Sequence, residues 1–217
     1  MLKKITNQYN FSGFPRAIWA VAGMNIIGGI GLATSFTYIS LYLYQERHMP
    51  MTQVGLVLLI SGVSSGVFQI ISGSAGDRFG HRKMVLLFGL AGVITSIALA
   101  VLIQIKAPTW SVLVSAVLVP TLGAGVTPPL NAIIARASLP SRLTESYSLQ
   151  AIAGNIAWAI GPLLGGYLLG FASFGWLFGI GAGMKALELI GILFLPRDEK
   201  TGYVKGPKVG NLKSLAP

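Results

Sequence analysis

Cysteine is absent from the 217 residues, and acid is scarce: Asp and Glu number 6 against 16 Lys and Arg, with 2 histidines. Without cysteine there is no disulfide, no thiol nucleophile and no thiolate metal site. The histidines, His48 and His81, fall in turns expected on opposite sides of a membrane. No metal-ligand cluster, nucleophile beside a base or glycine-rich phosphate loop is found. These gaps leave no basis for an enzyme, and no cofactor is expected. Charge of either sign is also thin, at 10% of residues, where soluble domains carry about 25%. The net charge of +10 raises the question of nucleic acid, but the bases sit at the ends of apolar runs, as membrane topology requires. No nucleic-acid partner is expected.

What is present in excess is apolar sequence, 53% of residues with a mean hydropathy of +0.70. About 20 apolar residues in a helix cross the hydrocarbon layer, and six such runs can be counted. They are expected at 17–44, 54–75, 84–105, 111–134, 148–169 and 171–195. The chain therefore reads as an all-α membrane protein. Residues 1–16 form an N-terminal segment, 17–196 a six-helix transmembrane domain, and 197–217 a Gly-, Pro- and Lys-rich linker or tail. The first run is long, and its Gly28, Gly29 and Gly31 suggest a bend.

Orientation follows from the bases beside the spans. One side carries Lys3, Lys4, Arg16, Arg78, Arg82, Lys83, Arg136, Arg142, Arg197, Lys200, Lys205, Lys208 and Lys213. The other carries Arg47 and Lys106, and Lys185 falls inside a span. Both termini are expected in the cytoplasm, with the chain a multi-pass protein of the cell membrane.

Between the second and third runs lies Gly73-Ser-Ala-Gly-Asp77-Arg78-Phe-Gly80-His81-Arg82-Lys83, an acid and three bases in a short polar turn. The glycines permit close approach and a positive φ, Asp77 can accept amides at the start of another helix, and Arg78, Arg82 and Lys83 anchor the topology. The pattern Gly-x-x-x-Asp-Arg-x-Gly-x-Arg-Lys resembles the signature loop between helices two and three of the major facilitator superfamily, with His81 in place of one base. The resemblance implies a cytoplasmic latch between two six-helix halves, with Asp77 pivotal and Arg78 and Arg82 in its charge network.

The fifth run repeats Ala153, Ala157, Gly161 and Gly165 every fourth residue, a smooth stripe for close helix approach. Pro162 removes a backbone bond near Trp158 and should bend the helix. Gly154 through Gly161-Pro162-x-x-Gly165-Gly166 is similar to the helix-five motif of drug:proton antiporters in that superfamily, with Ala157 where a further glycine is usual. Helix four departs from the family: Val119 and Pro120 stand where an arginine linked to proton coupling is expected. An echo between Gly29-Ile-Gly31-Leu-Ala-Thr34 and Gly123-Ala-Gly125-Val-Thr127 suggests a 3+3 inverted repeat.

Lys185 and Glu188 are the ionisable residues well inside a span. Three residues apart, they share a face, and they read either as a self-neutralising structural pair or as part of a proton or substrate relay. The resemblance places a substrate pathway along helices one, two, four and five, with Asn25, Thr34, Tyr38, Gln69, Thr127, Asn131, Asn155 and Trp158 as candidates. It implies the N-terminal half of an alternating-access transporter, exporting a small, hydrophobic or neutral solute across the lipid bilayer, with protons as a coupling partner. A C-terminal six-helix half or a second copy of the chain would complete it. A truncated inactive fragment, a six-helix homodimeric transporter and a non-transporting scaffold or sensor stay open beside that reading.

Overall fold

A chain crossing hydrocarbon must satisfy every backbone N–H and C=O within itself, and a single apolar segment does so as a helix. The computed structural model describes residues 13–197, and the regular structure among them is wholly helical. The first span is α1 (Arg16–Phe36) continued by α2 (Ile39–Gln45), and the second is α3 (Met51–Phe79). The third is α4 (His81–Gln104), and the fourth is α5 (Thr109–Ala124) continued by α6 (Thr127–Ala137). The fifth is α7 (Leu143–Leu169), and the sixth is α8 (Phe174–Glu188) followed by a 3-10 segment, Leu189–Phe194. All six are long and apolar enough to cross a membrane. The expected N-terminal and tail segments lie mostly outside the described residues, and with them Lys3, Lys4, Lys200, Lys205, Lys208 and Lys213.

One expectation needs correction. The second span reaches Phe79, so Gly73 to Arg78 are helix rather than loop, and the turn into α4 is Gly80 alone, at φ 102°. Hydropathy falls at the membrane surface, but helical hydrogen bonding continues beyond it; Gly80 stops the helix because its backbone conformation is closed to residues with a Cβ. The first span is helical at Gly28–Gly31. Its helix runs through these glycines and is interrupted at Thr37–Tyr38. The fifth span holds Pro162 inside one continuous helix.

The packing order carries the internal symmetry. Span one packs on spans five and six, span four packs on spans two and three, and spans three and six pack on each other. Exchanging the first three spans with the last three leaves this pattern unchanged, as an inverted 3+3 repeat requires. The glycine echo has a matching physical role. Gly31 meets Gly181 of span six, and Gly123 meets Gly92 of span three, so each first span of a triplet crosses its neighbour backbone against backbone. Both of these spans are also the interrupted ones, at Thr37–Tyr38 and Gly125–Val126.

Buried apolar side chains gather at the two ends of the bundle. One cluster, at the end opposite the basic turns, joins Ile39, Tyr42, Leu43, Val54, Leu99, Ile103, Val112 and Phe178. The other, at the basic end, joins Ile18, Val21, Met24, Val85, Leu130, Ile133, Ile134 and Ile192. Between them the bundle opens.

Candidate functional site

A cleft of about 590 Å³ lies midway along the bundle, and every span contributes to its wall. Span one supplies Asn25, Leu32 and Phe36; span two supplies Ser61 and Ser65; span three supplies Ser96. Spans four and five supply Thr127 and Trp158, and span six supplies Lys185 and Glu188. The hydroxyls of Ser61, Ser65 and Ser96 each donate to a carbonyl four residues back, at 2.8, 2.7 and 2.7 Å. Their donors are spent inside the helix, and their lone pairs are left to accept. The three serines were missed in the sequence, although the i, i+4 spacing of Ser61 and Ser65 marks one helix face.

Lys185 Nζ and Glu188 Oε2 form an ion pair within span six, with the two side chains 13% and 7% exposed. Gly28 of span one makes room for it: a Cβ there would fall on the Glu188 carboxylate. The Lys185 stem passes Gly92 of span three. A glycine on span one thus admits the charged Glu188 side chain to the cleft wall.

Of the eight expected pathway residues, Asn25, Thr127 and Trp158 line the cleft. Asn25 is held there by its amide, which donates to Gln150 Oε1 at 2.7 Å while Gln150 Nε2 donates to the Ile18 carbonyl at 3.2 Å. Asn155 is exposed one turn from Trp158 on α7. Gln69 is half-buried, and Asn131 is exposed, its carbonyl accepting from the Tyr147 hydroxyl. Neither borders the cleft. Thr34 and Tyr38 are taken up by the seam between spans one and five. The Thr34 hydroxyl donates to the Gly161 carbonyl at 3.1 Å, and the Tyr38 hydroxyl to the Pro162 carbonyl at 2.7 Å.

That seam explains the helix-five glycines. Ala153, Ala157, Gly161 and Gly165 are all buried. A Cβ on Gly161 would meet Ala33, and one on Gly165 or Gly166 would meet the Tyr38 ring. The stripe is therefore a close-packing surface for span one, with two interhelical hydrogen bonds laid across it. By contrast, Gly154 has open space around it.

At the basic end, Gly76 is pressed against His81 and Pro129, and Gly73 against Pro128, so the end of α3 leans on the start of α6. His81 is buried, and its Nε2 lies 3.7 Å from Asp77 Oδ1. The imidazole thus does a different job from the base expected at that position. Asp77 itself is 73% exposed. The Arg78 guanidinium lies 5.2 Å from the centroid of the Phe79 ring, and Arg136 sits exposed in the last turn of α6.

The model of the Major Facilitator Superfamily matches residues 21–217. A multidrug resistance protein B homolog of Mycobacterium tuberculosis is 31% identical over 152 residues, covering 68% of this chain and 27% of that protein. The major facilitator superfamily multidrug transporter mfsC of Aspergillus fumigatus is 27% identical over 152 residues, covering 68% of this chain and 28% of that one. The chain thus matches less than a third of the length of either relative. Among solved structures, a peptide transporter POT in complex with sulfate aligns with a TM-score of 0.75 at 21% identity, over 86% of this chain and 39% of that chain. The fold is the same. Family model, relatives and fold agree: the chain is a multi-pass membrane protein that belongs to the Major Facilitator Superfamily.

Proposed function

We propose that the chain is one six-helix half of a secondary transporter that exports a small, hydrophobic solute across the cytoplasmic membrane by alternating access. The observation that carries this is the mid-bundle cleft, walled by all six spans and closed toward each end by an apolar cluster. Its volume of about 590 Å³ falls in the range of small-molecule pockets, roughly 300–1,000 Å³. Apart from the Lys185–Glu188 pair its lining is uncharged, and the pair is neutral in sum. This favours a neutral or apolar solute. The multidrug names of the relatives point the same way.

The positive-inside preference sets both termini in the cytoplasm, so Arg78, Arg82, Lys83, Arg136 and Arg142 face inward and Arg47 and Lys106 face outward. The opposite wall of the pathway comes from a second six-helix unit. The shares of the relatives that this chain matches support that completion. Asp77, exposed at the cytoplasmic tip, then faces the start of a helix in the second unit and acts as the latch. Glu188 is the acid in the cleft that a proton can neutralise, releasing Lys185; it is our candidate for coupling in the absence of an arginine near Val119.

The test is transport in proteoliposomes holding the chain together with its completing unit, with Nile red as a neutral hydrophobic probe. Dye export driven by a proton gradient supports the reading. A well-folded assembly that moves no dye in either direction, gradient or not, would leave a membrane scaffold in its place.

A further inference from the structure

Arg47 and Lys106 belong to different turns, yet they line one polar pocket of about 620 Å³ at the end opposite the basic turns. They are the two bases that the spans place at that end, against a strong preference for the other. Arg47 is half-buried and held by the chain. Its Nε donates to the Tyr42 hydroxyl at 2.7 Å, and its guanidinium lies 5.4 Å from the centroid of that ring. Tyr42 is 3% exposed and meets Phe174 and Phe178 edge-on. Nη2 of Arg47 is left buried, with no acceptor among the described residues. Glu46 borders the same pocket but pairs with neither base.

A third source of positive potential faces this pocket. Ser173, Phe174 and Gly175, at the N-terminus of the 15-residue α8, form part of its wall. Ser173 makes no side-chain cap, and the Gln104 side-chain oxygen packs against Gly175 in the first turn, so the positive end of the helix is shared between Gln104 and the pocket. The Arg47 guanidinium, the Lys106 ammonium and a helix N-terminus border one space. An anion there would be attracted by all three.

The depth of the pocket identifies the anion. Tyr44, Trp110, Tyr167, Phe171 and Trp176 are exposed around the same end, a belt of aromatics that marks the level of the lipid headgroups. The abundant anion at that level is phosphate carried on a lipid. We propose that this pocket binds the headgroup phosphate of a phospholipid from the adjoining leaflet, held by Arg47, Lys106 and the first-turn amides of α8. Its acyl chains descend past exposed Ile105. Because the pocket joins the ends of spans one, three and five to the start of span six, the lipid fastens both triplets of the repeat.

The experiment uses the full chain, purified in detergent and stripped of lipid, with thermal unfolding followed as lipid is added back. Phosphatidylglycerol in mixed micelles should raise the midpoint of the wild type. Arg47→Gln and Lys106→Asn should each need roughly tenfold more lipid or greater for half of that effect, the scale of one lost charged hydrogen bond. Asn is chosen because Lys106 has φ 53°, a conformation that Asn tolerates. Diacylglycerol, which lacks phosphate, should do nothing, and inorganic phosphate should do little. Equal responses of wild type and both variants would overturn the proposal, as would full stabilisation by diacylglycerol. Full stabilisation by inorganic phosphate would overturn the lipid as the source. Should Arg47→Gln fail to fold, Lys106→Asn decides alone, and an unchanged half-saturation defeats the proposal.

Discussion

Gly161→Ala adds one methyl group where the structure leaves no room for it. The new Cβ would stand 2.5 Å from Ala33 Cβ and 3.0 Å from the Thr34 backbone nitrogen. Carbon atoms rest at about 3.5–4.0 Å, so spans one and five would have to part by roughly 1 Å at this point. The backbone nitrogen cannot rotate away as a side chain would. Overpacking of this kind costs about 1–3 kcal/mol. Separation would also stretch the Thr34 to Gly161 hydrogen bond, already 3.1 Å, and an intramembrane hydrogen bond is worth about 0.6 kcal/mol. The expected loss is about 2–3 kcal/mol. Gly154→Ala is the control, because it changes the same helix by the same methyl group with nothing within 4 Å. There, Ala should be neutral or gain up to about 1 kcal/mol from helix propensity. Unfolding of the purified chain in mixed micelles, titrated with dodecyl sulfate and followed by tryptophan fluorescence, measures both variants. Equal midpoints for the two would refute the account of the seam.

Three further substitutions test other parts of the structure. Lys185→Ala strands the Glu188 carboxylate, 7% exposed, and should destabilise by about 3–5 kcal/mol. The double variant Lys185→Ala/Glu188→Gln should recover most of this in the same unfolding assay, and a double variant no better than the single would contradict a buried ion pair. In the transport assay, wild-type rates in both Lys185→Ala and Glu188→Gln would exclude the relay role. Lys106→Val forces a β-branched residue to φ 53° and should cost about 1–2 kcal/mol, whereas Lys106→Asn should be near neutral; equal midpoints would remove backbone strain from the explanation. Asp77→Asn should leave insertion and the unfolding midpoint of the isolated chain unchanged, because the carboxylate is 73% exposed, but slow dye export once the second unit is present. Unchanged export would reduce the motif to a topology anchor.

The six spans and the clustering of bases at one end could be read in the sequence because each obeys a one-dimensional rule: length against bilayer thickness, and charge against side. Part of the glycine echo was legible for a similar reason, since at Gly31–Gly181 a Cβ on either residue would collide with the other's backbone. Which spans Gly28, Gly29 and Gly31 pack against was not legible, because their partners lie more than 120 residues away. Thr34 and Tyr38 have the chemistry of solute ligands, but Gly161 and Pro162 on another helix take their hydroxyls. Conversely, Ser61 and Ser65 look like ordinary span residues until the fold turns them to the cleft. The face a residue presents was legible; what covers that face depends on pairings distant in sequence.

The turn at Gly80 bears on how the chain moves as well as how it stands. A 29-residue helix and a 24-residue helix are joined there by one residue with no slack. In the folded chain that leaves spans two and three as a tight antiparallel hairpin that cannot splay at its charged tip. Any movement of one span at that end is therefore passed directly to the other, so the pair moves as a single lever. A side chain at Gly80 that opposes the positive φ would loosen that lever at its fulcrum.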